Sequence, residues 1–381
     1  MAIELSNLIF SDQNDVVPVS GVEEILNTGV ANTLAGNDTI TSTGTKFKIH
    51  PSIGILGTGF HNIGTLNTAE GNDRITGIHS PDESEPYPPN PTGQGNVRSY
   101  GIFNERGTID TGDGNDLITG ISEAKEGIGS HSTFYPFGIE NYNGIINTGD
   151  GSDAIVGIGD IGIYNDFSSI LDTGKGNDFI TGIGRHGIIN FIATLDTGSG
   201  NDVITGFSND LFGGGISNFQ SINTGEGNDA INTTSNLGTG LYNTDNCTID
   251  TGDGNDRIII TSQGTGLYNF GIINMGDGAD SLIINGASNN RMGSILLGNG
   301  NDSIKGFGHG GNLNGGNGED TLELLSGSYV VGISETTVDF TQAHPSISDN
   351  TMRTSEFEKL RAGDKMYDFT SLSDGQRIVI A

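Results

Sequence analysis

The sequence predicts an all-β fold, a right-handed parallel β-helix or β-roll solenoid of about eleven coils with terminal caps. Three observations predict it. First, a turn of the pattern G-x-G-N-D, followed by x-[IL], returns eleven times, with its Asp at 38, 73, 116, 153, 178, 202, 229, 256, 280, 302 and 320. Second, the residue two after each Asp is aliphatic in all eleven copies, from Ile40 to Leu322. Third, glycine (63 of 381 residues) and β-branched residues dominate each unit, which disfavours helix. A fixed repeat is read before length, because a solenoid grows without adding domains.

Composition narrows the function. The formal net charge is -31. Such a fold repels itself unless cations neutralise it, and phosphate backbones find too little Lys and Arg to bind, which excludes nucleic acid as partner. Hydrophobic content is 33%. No stretch approaches the ~20 apolar residues of a membrane span. Cys247 is the single cysteine, so no internal disulfide forms, and it reads as a small structural residue. The start, Met1-Ala2-Ile3-Glu4-Leu5, lacks the basic and apolar regions of a cleaved export signal.

Residues 1–33 read as a lead-in or N-terminal cap, in which Val22–Gly29 resembles the later I-x-T-G strand. Residues 34–325 are the repeat solenoid. Spacing between successive Asp residues settles near 24 to 27 in the interior, as in Asp178, Asp202, Asp229 and Asp256. At ~3.3 Å per residue, three short strands and their corners fill one such coil, and coils then stack in parallel at ~4.8 Å. The aliphatic residue after each turn forms one inward ladder. Leu66, Ile109, Ile146, Leu171, Leu195, Ile222, Ile249 and Ile273, before the turn, form a second. A third recurrence, G-[IL]-x-N, ends at Asn104, Asn141, Asn165, Asn190, Asn218, Asn243 and Asn269. It reads as a stacked asparagine corner or as turn residues alone. Insertions at 43–58, 79–99 and 122–136 fall between first and second strands. They are tolerated loop variation, or a patch in which Tyr87, Tyr100, Phe134 and Tyr135 stack on sugars or meet a protein. Residues 326–381 read as a C-terminal cap that covers the last coil against edge pairing.

The turn itself carries the chemistry. Its glycines reach conformations closed to other residues and let carbonyls converge. Nine copies keep both: Gly112 and Gly114, Gly149 and Gly151, Gly174 and Gly176, Gly198 and Gly200, Gly225 and Gly227, Gly252 and Gly254, Gly276 and Gly278, Gly298 and Gly300, and Gly316 and Gly318. The turns of Asp38 and Asp73 lose the first, and any fraying of the row is expected there. A hard cation wants six to eight oxygens, more than one turn supplies. Two stacked turns supply them together, from carbonyls of both and the Asp carboxylate of one. The variable position holds Asp113, Asp150, Lys175, Ser199 and Glu226 among others, so that side chain points outward.

This turn resembles the calcium-binding nonapeptide of RTX (hemolysin-type) proteins, G-G-x-G-x-D-x-U-x. Gly298–Ile304 and Gly315–Leu322 match it well, and their Asp residues lie 18 apart, which is two nonapeptides. The coil is otherwise longer than the family's, with one such turn per coil. The resemblance implies calcium (Ca2+) in a single row between turns. It also implies secretion by the type I route, with Phe357–Gly363 and the apolar Val379-Ile380-Ala381 similar to tails that follow RTX arrays. The location expected is extracellular or at the cell surface.

The function expected is a secreted calcium-binding solenoid with a structural or surface-interaction role and no enzyme activity, its partners being calcium ions and a polysaccharide or cell-surface component. The alternative is a β-helix polysaccharide lyase or epimerase, which needs a base and an electrophile on one face. Arg74 and Arg257 lie far apart in the array, and Arg185 and His186 lack counterparts in neighbouring coils. RTX-type ice binders place Thr at the variable position. Here that position holds Asp, Lys, Ser, Glu and Asn.

Overall fold

The computed structural model describes residues 2–17, 24–50, 54–82, 96–123, 134–210, 212–290, 292–307, 310–342 and 351–381. They form two compact units, Met1–Gly198 with Thr205–Asn209, and Ser199–Ile204 with Asp210–Ala381. Each unit is a parallel β-solenoid. A coil runs from the turn into a first strand such as Leu117–Ser122, then a second such as Phe134–Tyr142, then a third such as Ile145–Asn147.

Like strands stack in register because like side chains must share a narrow interior. In the first unit Val17, Ile40, Ile75, Ile118, Ile155 and Ile180 pair in sequence down the first strands. In the second, Ile231, Ile258, Leu282, Ile304, Leu322 and Leu360 do the same. Apart from Val17, these side chains are at most 1% exposed, so each contributes ~1.5–3 kcal/mol. The third-strand ladder also holds, Ala31-Leu66-Ile109-Ile146-Leu171-Leu195 in one unit and Ile222-Ile249-Ile273-Ile295-Leu313 in the other.

The asparagine corner is a hydrogen-bonded stack. Asn27 Nδ2 donates to Asn62 Oδ1 at 2.8 Å, and the chain continues through Asn104, Asn141, Asn165 and Asn190. Asn218, Asn243, Asn269 and Asn290 form its counterpart in the second unit. All are fully buried. An amide both donates and accepts, so a ladder of amides satisfies itself where a hydroxyl or aliphatic group could not.

The lead-in departs from expectation. Ile25–Asn27 is not the I-x-T-G strand. It pairs with Ile3–Glu4 and with Phe60–Asn62, and is therefore a second strand. The third strand of that coil is Val30–Asn32. Asn27 decides the register, because its amide reaches the asparagine stack only there.

The insertions also differ from expectation. Phe47–His50 folds back antiparallel on Gly54–Gly57. The second strands Gly54–Asn62, Asn96–Glu105 and Phe134–Tyr142 are nine or ten residues long. Leu56, from the added residues, packs with Tyr100, Phe103, Phe137 and Ile161 in a second apolar cluster. Tyr100 is fully buried, so it belongs to this cluster and to no surface patch. Tyr87 and the prolines at 86, 88, 89 and 91 lie outside the described residues.

Late in the second unit, Gly327–Ile333 pairs antiparallel with Val338–Gln342 and Arg377–Ile380. Lys359–Ala362 first adds a parallel strand to Thr321–Leu324 and then pairs antiparallel with Lys365–Asp368. Two residues elsewhere hold a glycine's place without being glycine: Leu34 (φ 68°) and Ala69 (φ 64°), both left-handed. The turns of Asp38 and Asp73 keep their form at the expense of this strain. Ala69→Gly is expected to stabilise the protein by about 0.5–1 kcal/mol, the relief of left-handed strain less the added freedom of the unfolded chain. Chemical denaturation reads this as a higher midpoint with unchanged slope.

Candidate metal centre

The turn is built from three interlocking hydrogen bonds. Where an asparagine precedes the row Asp, it accepts through Oδ1 from the backbone of the next coil, as Asn72 does from Asn115 N–H at 2.7 Å and Asn228 from Asn255 N–H at 2.8 Å. The threonine before the first glycine donates to the next threonine carbonyl, as Thr111 does to Thr148 at 3.3 Å. The last residue of the third strand caps the turn. Asp172 accepts from Gly174 N–H at 3.0 Å, and Asn67 from Ala69 N–H at 2.8 Å. This Asx residue carries part of the site, and sequence reading passed over it. Its signal is the recurring Asn or Asp two residues before the first glycine position.

Within this frame the row Asp residues share one backbone contact of fixed kind. Oδ1 accepts the backbone N–H of the preceding row Asp. Asp38 serves Asp15, Asp73 serves Asp38, Asp116 serves Asp73, Asp153 serves Asp116 and Asp178 serves Asp153, at 2.7–2.8 Å. In the second unit Asp229, Asp256, Asp280, Asp302 and Asp320 serve the Asp before them over the same distances. The structure therefore gathers the sequence-predicted aspartates into one row per unit.

The second oxygen is different. Oδ2 of Asp38, Asp73, Asp116, Asp153, Asp229, Asp256, Asp280, Asp302 and Asp320 is buried without a hydrogen-bond partner. These residues are at most 2% exposed. Burial pushes the carboxyls of Asp73, Asp116, Asp229, Asp256 and Asp302 up to about 6, and those of Asp153 and Asp280 up to about 7. Neighbouring row carboxylates add to the rise at Asp73, Asp153, Asp280 and Asp302, while the N–H bond to Oδ1 opposes it, as do the nearby hydroxyls of Thr68 at Asp73 and Thr148 at Asp153. Like charges at the strand spacing repel by roughly 3 kcal/mol per pair at an effective dielectric near 20. One charge-assisted hydrogen bond of ~1.5–3 kcal/mol does not offset two such neighbours.

The glycines are required by close approach. A Cβ on Gly114 (φ 156°) would lie 1.5 Å from the Gly71 carbonyl oxygen, and one on Gly176 (φ 141°) 1.3 Å from that of Gly151. Each second-glycine carbonyl thus points at the next turn, and only glycine leaves room for it. The variable position faces solvent, with Asp113, Asp150, Lys175, Glu226, Asp253 and Asp277 exposed, as expected.

This donor set fits a hard divalent cation. It offers buried, unpartnered carboxylate oxygens and backbone carbonyls, with neither imidazole nor thiolate in the motif. Among the described residues no group of three or more His, Cys, Asp or Glu side chains converges on one point, so any ion here relies on carbonyls.

A second polar cluster lies on the outward face of the long second strands in the first unit. Register aligns Phe103, Glu140 and Tyr164. Arg98 Nη1 stands 3.6 Å from Glu140 Oε1 and donates to the Tyr100 hydroxyl at 3.3 Å. His61, Phe103, Tyr100, Phe137 and Tyr164 form a continuous stack of rings, with centroids 4.4–5.7 Å apart. A lyase or epimerase needs such groups open to substrate, yet Glu140 and Tyr100 are wholly buried. Arg185 is engaged with Asp160 at 2.6 Å. Burial raises the Glu140 carboxyl to about 7, with Arg98 opposing, and Asp166 and Glu105 adding to the rise.

No protein-family model matches the chain, and no curated protein matches it. Among solved structures it is similar to a hyperactive, Ca2+-dependent, β-helical antifreeze protein from an Antarctic bacterium, with 19% identity and a TM-score of 0.47, covering 98% of this chain and 95% of that chain. None of the described helices is long and apolar enough to cross a membrane.

Two outcomes test these sites. Gly176→Ala places a methyl on the Gly151 carbonyl and is expected to destabilise the fold by at least about 2 kcal/mol, read by denaturant unfolding. Glu140 has a folded pKa above its unfolded value, so its stabilising contribution is full below about 4.5 and lost as pH rises through about 7. Glu140→Gln should therefore melt near the wild-type temperature at pH 4 and above it at pH 8. An equal offset at both values would show that Glu140 does not titrate in this range.

Proposed function

We propose that the chain is a calcium-binding β-solenoid with a structural or surface-interaction role, in which ions lie between stacked G-x-G-N-D turns. The observation that supports this reading is the row of buried Oδ2 atoms without partners. A bound calcium supplies positive charge and accepts oxygen donors without directional demand. The row aspartates hold one carboxylate oxygen on the neighbouring backbone and turn the other inward. The glycines clear the path for carbonyls of the adjacent turn. The asparagine and threonine ladders fix the spacing, so every turn presents the same donor set.

The same reading places the protein outside the cell, where calcium is abundant, with the C-terminal segment serving export by the type I route. A chain without disulfides then draws stability from metal once it leaves a calcium-poor interior. The partner class on the outer surface is a polysaccharide or a cell-surface component.

Calorimetric titration tests the reading. It is expected to count several calcium ions per chain, and fewer than about four would be too few for stacked sites of this oxygen number. Circular dichroism should gain β signal on adding calcium to chelated protein. A full signal in chelator would remove calcium from the folding reaction. Asp153→Asn makes a sharper test, because the amide keeps the Oδ1 acceptor and deletes only the charge. The variant should melt above wild type in chelator and below it in saturating calcium. The same order in both conditions would contradict the proposal.

A further inference from the structure

The row does not end with the last glycine turn. Glu358 Oε2 accepts the backbone N–H of Asp320 at 2.8 Å, the bond that Asp320 Oδ1 makes with Asp302 N–H. Lys359 N–H donates to Asp320 O at 2.9 Å, as Thr321 N–H does to Asp302 O at 2.8 Å. Gly315 N–H donates to Ser355 O at 3.0 Å. Glu356 adopts φ 56°, the left-handed conformation held by glycine elsewhere. Leu360 continues the ladder below Leu322, and Thr354 stacks on Leu313. Ser355–Glu358 is therefore a further turn of the solenoid, although it contains no glycine and lies 38 residues after Asp320.

We propose that this turn and the turn of Asp320 form a divalent cation site that the glycine repeat does not encode, and that occupancy of it folds the C-terminal segment onto the last coil. The inference rests on the calcium reading above. Asp320 is fully buried, and its Oδ2 has no partner. A point beside Gly315, where a Cβ would stand, lies 2.0 Å from the Glu356 carbonyl oxygen and 2.8 Å from Asp320 Oδ2. The Glu356 carbonyl oxygen and Asp320 Oδ2, from successive turns, therefore both lie close against Gly315, where a side chain would collide with them. Glutamate suits this turn because its extra methylene reaches the Asp320 N–H from a backbone that lacks the tight glycine pair. The adjacent cation is engaged elsewhere, with Lys359 Nζ 2.7 Å from Asp368 and 3.8 Å from Glu319. All the donors are oxygens, which selects a hard ion over zinc.

The first turn of the N-terminal unit is held differently. Asn14 and Asp15 occupy the Asn and Asp places, with Asn37 N–H donating to Asn14 and Asp15 N–H to Asp38. There the Asp15 carboxylate accepts from Ser11 N–H at 2.7 Å, so a hydrogen bond takes the role assigned to an ion beside Asp320.

The test uses full-length Glu358→Gln, which keeps the acceptor for Asp320 N–H and removes the charge. Native mass spectrometry in calcium should count one ion fewer than wild type. Hydrogen exchange of residues 351–368 should rise to its chelated level, while Leu117–Ser122 stays protected. An unchanged count with unchanged protection overturns the proposal. If the variant fails to fold, exchange of the wild type across a calcium titration decides. Protection of 351–368 that follows calcium supports the site, and protection equal in chelator overturns it. A wild type that binds no calcium refutes the earlier reading, whereas a bound row that ignores Glu358 refutes this one alone.

Discussion

The stacking of one carboxylate on the preceding coil's backbone is the constraint from which the rest follows. Each row Asp spends Oδ1 on the N–H of the Asp before it, and this bond sets coil against coil at the turn. The same geometry leaves Oδ2 buried beside like charges. The two facts are inseparable, because the rotation that satisfies one oxygen turns the other inward. A fold that repeats this bond from coil to coil accumulates buried carboxylates in a row, and the proposed calcium is the complement of such a row.

The other ladders make this row possible. Ile and Leu fill the interior at identical positions, asparagines satisfy one another at the corner, and threonines hand hydroxyl protons to the next coil. The threonine ladder also tolerates a change of chemistry. Met275 and Leu297 follow threonine in that position where the coils shorten, and their buried side chains replace a hydrogen bond with packing. The long second strands of the first unit show the opposite case. There the rings of stacked strands pack with Leu56 into a buried cluster around Tyr100 in place of an exposed loop face. Aromatic rings that stack on each other bury more area than rings displayed singly.

Much of this was legible before any coordinates. The period of the turn, the aliphatic residue two after each Asp and the G-[IL]-x-N corner named the strands, their faces and the row of aspartates. They did so because a solenoid forces residues of equal role into equal places. The lead-in was misread, since Ile25-Leu26-Asn27-Thr28-Gly29 fits the I-x-T-G pattern as well as the second-strand pattern over so few residues. The Asx cap was overlooked because Asn and Asp alternate there and neither looks conserved in spacing alone.

Sequence by itself determined the fold class, the inward ladders and which carboxylates line up, because these depend on period and residue type. Tertiary structure alone decided how the ends close and which oxygens are left over. Asn14-Asp15-Val16-Val17 carries a faint trace of the repeat, but Ser355–Glu358 carries none. Its role depends on a backbone conformation and on a partner 38 residues away, across a hairpin that returns it to the stack. The unpartnered oxygens are invisible in sequence for the same reason. Whether a carboxylate is satisfied depends on what approaches it in space, and only the neighbouring coil supplies that.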